Sequence, residues 1–167
     1  MPISVACVQF APDKADVQRN LDRIAEAMMQ AAYESVDLAV FPETSTTGYF
    51  LEGGVLECSL ELHELAGALS QRTSKLPRPL HAVVGFYERF EGNLYNSAAL
   101  LELSGGSVRS LGVHRKFFLP TYGVFDEERF VARGRSVEVF DTSIGRIGML
   151  ICEDVWHSIL PTLLAMQ

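Results

Sequence analysis

The sequence predicts an α/β fold, a mixed sheet with helices on at least one face. Three observations carry that prediction. Short apolar runs of strand type alternate with segments of helical spacing in the first 70 residues. Three strand-like runs then follow one another with only short turns between them. The composition, 48% hydrophobic and 21% charged over 167 residues, is that of one ordinary domain able to bury a sizeable core.

Residues 3–10 are apolar and β-branched at intervals, and Pro12 and Asp13 end them, which predicts a buried strand. Asp16 stands where a helix cap is needed. Behind it Val17, Leu21, Ile24, Met28 and Ala31 recur at spacings of three and four, with Arg19, Asp22, Arg23 and Glu26 elsewhere. That is an amphipathic helix with one face on a sheet. Residues 37–41 predict a second buried strand, ended by Pro42 and followed by a glycine- and threonine-rich loop through Gly48 to Gly54. A second helix is predicted over residues 60–69, with Leu62, Leu65, Ala66 and Leu69 on one side, and a polar, proline-broken link over 72–79. Residues 80–87, 94–103 and 108–113 are consecutive strands, separated by hairpin turns at Gly92-Asn93 and Ser104-Gly105-Gly106. A loop covers 117–134, and residues 137–140 and 146–151 are two more strands around a turn at 143–145. Residues 161–167 begin an apolar helix. Ile159, Leu160, Leu163, Leu164 and Met166 there would need a covering that follows them, so the chain reads as one domain over 1–167, the N-terminal portion of a longer unit.

The formal charge of −7, from 14 basic and 21 acidic residues, gives no reason to expect nucleic acid or an anionic membrane as partner. Three cysteines, widely spaced and without a CxxC pair, argue against a disulfide framework or a zinc site and for a reducing compartment. His63, His81 and His114 are scattered, with no metal-ligand spacing. Gly145-Arg-Ile-Gly148 opens a strand and is no phosphate loop. The N-terminus lacks a basic region and no apolar run is long enough for a bilayer, so a soluble, cytoplasmic protein is expected.

Three reactive side chains each follow a predicted strand: Glu43, Lys116 and Cys152. Sites in open α/β sheets collect outside strand ends. Together these residues supply a proton acceptor, a fixed cation and a soft nucleophile, the parts of an acyl transfer. Taken singly, each has a plainer reading: Glu43 as a solvated loop carboxylate, Lys116 as a surface lysine whose stem lies on Phe117 and Phe118, Cys152 as an inert buried thiol. The strand-end position of Cys152, with Glu153 and Asp154 beside it, favours the functional reading; Cys7 and Cys58 stay with the inert one. His157, five residues past Cys152, offers a rival Cys–His dyad, but that spacing does not put the two on one helix face.

The local strings are more telling. FPETSTTGY resembles the Glu motif of the nitrilase, or carbon–nitrogen hydrolase, superfamily, HRKFFLP its Lys motif and DTSIGRIGMLICEDVW its Cys motif. VACVQFAP and YNSAALLE are also similar to family sequence, in the family's order, so the resemblance covers essentially the whole chain. It implies a nitrilase-type four-layer αββα sandwich, here truncated at the C-terminus and in the family paired with a second subunit, so a homo-oligomer is expected. It implies Glu43, Lys116 and Cys152 as catalytic triad, with a further glutamate that falls on Glu127 rather than Glu128 by the spacing to Gly134. Glu153, Tyr49 and Trp156, inside the matched strings, are carried as supporting or substrate-binding positions. The expected reaction is hydrolysis of a non-peptide amide bond of a small molecule through a Cys152 acyl-enzyme, without metal or organic cofactor. CEDVW and LPTYGVFDE look closer to the branch that holds the glutaminase-like domains of glutamine-dependent NAD synthetases, which favours a terminal amide over a nitrile. Two alternatives share the same residues: a non-catalytic fragment or association module, and an acyltransferase. A chain ending at Gln167 would lack part of the family's core; low stability is expected of it, and activity at this length is left open. Lys116→Ala is expected to cost rate far more than stability.

Overall fold

The computed structural model describes residues 2–49, 51 and 53–167. In chain order its elements are β1 (Val5–Cys7), α1 (Val17–Tyr33), β2 (Leu38–Val40), α2 (Val55–Cys58), α3 (Leu62–Arg72), β3 (Leu80–Phe90), β4 (Asn93–Ser104), β5 (Ser107–Arg115), β6 (Val139–Thr142), β7 (Gly145–Gly148) and α4 (Ile159–Ala165). Single 3-10 turns occupy Glu127–Arg129 and Cys152–Trp156. Strands β1 to β5 form one sheet in sequence order, parallel from β1 to β3 and antiparallel from β3 to β5. Strands β6 and β7 form a separate hairpin.

The helices lie where the periodicity places them. Asp16 caps α1, its Oδ1 accepting the Arg19 N–H at 3.1 Å, and Leu21, Ile24, Met28 and Ala31 are its buried stripe. In α3 the Glu64 carboxylate accepts the Glu61 N–H at 2.8 Å, and Leu65 and Leu69 point inward. These side chains pack on Leu80, Ala82, Val84 and Phe86 of β3 and Ala99, Leu101 and Leu103 of β4, which share one face of the sheet. On the other face Ala98 and Leu100 meet Met149, Ile151, Phe140 and Ile147. The hairpin therefore stacks on the sheet. Its far face carries Gly148, against which Leu164 of α4 closes. The layer order is helix, sheet, sheet, helix, as the family resemblance implies.

Some expectations need correction. The run 3–10 forms a strand only over Val5–Cys7, and it is not buried: Val5 and Cys7 are exposed. Only its Ala6 face packs on the core, and the opposite face, with Val5 and Cys7, is left uncovered. Strands β3 and β4 run longer than predicted because their ladder stays in register from Leu80↔Leu103 to Phe90↔Asn93, and Glu91 and Gly92 make the turn with positive φ. The strand predicted over 146–151 leaves its ladder after Gly148: Met149 and Ile151 stay buried, but the Ile151 N–H goes to the Asp154 side chain. No helix among the described residues is long and apolar enough to cross a membrane.

Candidate active site

Glu43 is held by a tight turn over residues 43–47 that follows β2. The Phe41 N–H still bonds to the Val83 carbonyl at 2.9 Å, and Pro42 then ends the pairing. The turn is seated on β3: Ser45 Oγ donates to the Gly85 carbonyl at 2.9 Å, and so does the Thr46 N–H at 3.3 Å. Asn20 of α1 reaches it from the other side, donating to the Thr46 carbonyl at 3.1 Å. Gly85 cannot be larger, since a Cβ there would stand 2.4 Å from the Pro42 oxygen and 2.6 Å from the Thr44 nitrogen.

Lys116 is the first residue beyond β5. Its N–H donates to the Asn96 carbonyl at 2.8 Å and its own carbonyl accepts from Gly134 at 2.8 Å, so the main chain is tied on both sides. The side chain is wholly buried. Its Nζ lies 2.7 Å from Glu43 Oε1 and 2.8 Å from Glu127 Oε2. Burial alone would lower the ammonium's pKa, but the two carboxylates outweigh it and hold it above the ordinary lysine value. Glu127 is buried on its 3-10 turn, while Glu128 faces outward and pairs with Arg133.

Cys152 opens the turn after Ile151 with φ of +46°, a left-handed conformation that a residue with a Cβ holds only under constraint. Partial burial and the Glu43 carboxylate push its thiol above the ordinary value, Lys116 offsetting part of this. Cys152 and Glu43 line a small cavity of about 120 Å³ with Val83, Gly85, Ser97 and Leu150. The structure thus brings Glu43, Lys116, Cys152 and Glu127 into one cluster.

Of the other expected positions, Tyr49 joins this cluster. Its ring centre is 5.8 Å from Lys116 Nζ, and it lies close enough to Glu127 to feel that carboxylate's charge. Burial and that carboxylate raise its pKa far out of range, so it stays neutral. Glu153 faces a different set, accepting from the Tyr122 hydroxyl at 2.8 Å and lying 3.3 Å from His157 Nε2. His157 also stacks on Phe118 with ring centres 3.6 Å apart, so its ring is engaged with Glu153 and Phe118. Trp156 is 80% exposed and is not brought to the cluster. Cys7 and Cys58 lie elsewhere, and Cys58 donates to the Ala15 carbonyl at 3.7 Å.

One residue escaped the sequence reading. Buried Asn96 donates through Nδ2 to Glu43 Oε1 at 2.7 Å and to Glu127 Oε1 at 2.8 Å, bridging the two carboxylates opposite Lys116. It lies in YNSAALLE, one of the matched strings, but a polar residue on a strand shows its facing only once the register is known.

Compared with known proteins, residues 4–167 match the model of the carbon–nitrogen hydrolase family. The chain belongs to the carbon–nitrogen hydrolase family. It is 37% identical over 153 residues to a glutamine-dependent NAD(+) synthetase of Acinetobacter baylyi, covering 91% of this chain and 27% of that protein. The structure of a glutamine-dependent NAD+ synthetase from Acinetobacter baumannii in complex with ADP superposes with a TM-score of 0.81 at 34% identity, over 97% of this chain and 30% of that one. The crystal structure of a carbon–nitrogen hydrolase from Helicobacter pylori G27 gives 0.82 at 23% identity, over 98% of this chain and 56% of that one, a likeness of fold. The carbon–nitrogen hydrolase chain thus spans roughly a quarter of the synthetases it matches and about half of the hydrolase.

Proposed function

We propose that Cys152, Glu43 and Lys116 act as nucleophile, general base and oxyanion-stabilising cation in hydrolysis of a small-molecule carboxamide. The observation that carries this reading is the cluster itself: Lys116 Nζ within 2.8 Å of both carboxylates, with Cys152 and Glu43 lining one small cavity. Glu43 takes the thiol proton as sulfur attacks the carbonyl carbon. A lysine ammonium has three donors. One is given to Glu43 at 2.7 Å, Glu127 pairs with the ammonium as a charge at 2.8 Å, and a further donor remains to meet the developing oxyanion; one such donor is worth roughly 3 kcal/mol. Glu43 then gives its proton to the nitrogen as the C–N bond breaks. Water, deprotonated by the same carboxylate, attacks the thioester carbon, releasing the acid and restoring the thiol. Glu127, Asn96 and Tyr49 keep Lys116 charged and in place.

The names of the synthetase relatives carry glutamine dependence, which supports a terminal carboxamide such as that of glutamine as substrate. The test is ammonia release from glutamine, asparagine and simple primary amides. Turnover is expected with at least one of them, abolished in Cys152→Ala and lowered at least about 10²-fold in Glu43→Gln, which keeps its shape. Ammonia release that survives in either variant contradicts the assignment.

A further inference from the structure

Asp154 is 0% exposed, and its carboxylate accepts four hydrogen bonds. Oδ1 accepts the N–H of Phe117 at 3.0 Å and of Phe118 at 2.9 Å. Oδ2 accepts the N–H of Ile151 at 3.1 Å and lies 2.8 Å from Nε2 of buried His114. Three of these donors flank Lys116 in sequence, one on the N-terminal side and two on the C-terminal side, and the fourth immediately precedes Cys152. Asp154 itself stands two residues after Cys152. Its bond to Ile151 therefore closes a ring of chain around the nucleophile, whose left-handed φ is unfavourable for a residue with a Cβ and persists only where neighbours impose it.

We propose that Asp154 is a positioning residue: its carboxylate clamps the Lys116 strand end to the Cys152 elbow, so that sulfur, ammonium and Glu43 meet in register. The inference rests on the reading of Glu43, Lys116 and Cys152 given above. Burial would raise this carboxyl, but the His114 hydrogen bond and the amides of Phe118 and Ile151 hold it below the usual carboxylate range, so four donors face a full charge. An asparagine amide has one oxygen and cannot accept from both sides.

Asp154→Asn is tested by the pH profile of alkylation with iodoacetamide, read separately at each cysteine by peptide mass, with Cys7 and Cys58 as internal controls and Glu43→Gln as a comparison. In the folded D154N protein the Cys152 midpoint falls toward the ordinary free-thiol value of about 8.5, as sulfur leaves the carboxylate, while Cys7 and Cys58 keep their profiles. With a primary amide, kcat drops about 10²-fold and KM stays within about twofold. A folded D154N whose Cys152 profile equals that of the unaltered protein, while E43Q shifts it, overturns the clamp and leaves the triad standing. A Cys152 profile indifferent to E43Q overturns the triad, and the clamp with it. If D154N does not fold, His114→Ala removes one donor of the four and shifts the Cys152 midpoint in the same direction by less; an unchanged profile in folded H114A overturns the clamp.

Discussion

A lysine with a wholly buried side chain between two carboxylates is a structural charge as well as a chemical one. Without it, Glu43 and Glu127 share only the Asn96 amide and repel each other in a partly dry site. Lys116→Ala should therefore lose about 3 kcal/mol or more of stability, a fall in Tm of roughly 10 °C, as well as turnover. Thermal denaturation checks this, and a Tm within about 2 °C of the unaltered protein would contradict it. The burial revises the sequence expectation that the variant costs rate far more than stability. Glu43, Lys116 and Cys152 were legible because reactive types stood behind apolar runs in recognisable strings. Asn96 and the partners of Asp154 were not, because their roles depend on which strand faces which, and that is a property of register.

At the scale of elements, the site depends on how tightly the turn over 43–47 sits on β3. Gly85 lies mid-strand, and a methyl group there collides with main chain of the turn that presents Glu43. Gly85→Ala is expected to lower Tm by several degrees and to reduce turnover even though no functional group is removed. Tm and ammonia release with the variant both unchanged would show that the turn moves freely. Gly134 is a second such contact, its hypothetical Cβ 2.0 Å from the Arg115 carbonyl beside Lys116. Gly85 was not singled out from sequence, since a glycine in a strand says that something approaches closely but not what. Helices α1 and α3 were readable from Asp16 and from the leucine spacing, because both bury one face only. β1 was misread because an apolar run looks alike whether one or both faces are covered.

For the whole molecule, the layers explain why the site lies where it does. The α1 and α3 layer supports the sheet from one side, the β6–β7 hairpin stacks on the other, and the reactive groups come from segments following β2, β5 and β7. The buried Asp154 carboxylate connects two of those segments and has a lowered pKa, so its stabilisation is present above the unfolded value of about 3.9 and is lost as pH falls below that value through the folded one. Tm measured from pH 7 down to pH 3 is expected to fall most steeply below about pH 4, and D154N should show a shallower fall over the same window. Equal slopes would remove Asp154 from the acid response. The central claim, that Cys152 is the nucleophile, is tested most directly by rapid acid quench of the protein with a turned-over amide, followed by intact and peptide mass spectrometry. The account predicts a mass gain equal to the acyl group, confined to Cys152 and absent in Cys152→Ala; ammonia release with no acyl group on that sulfur would contradict it.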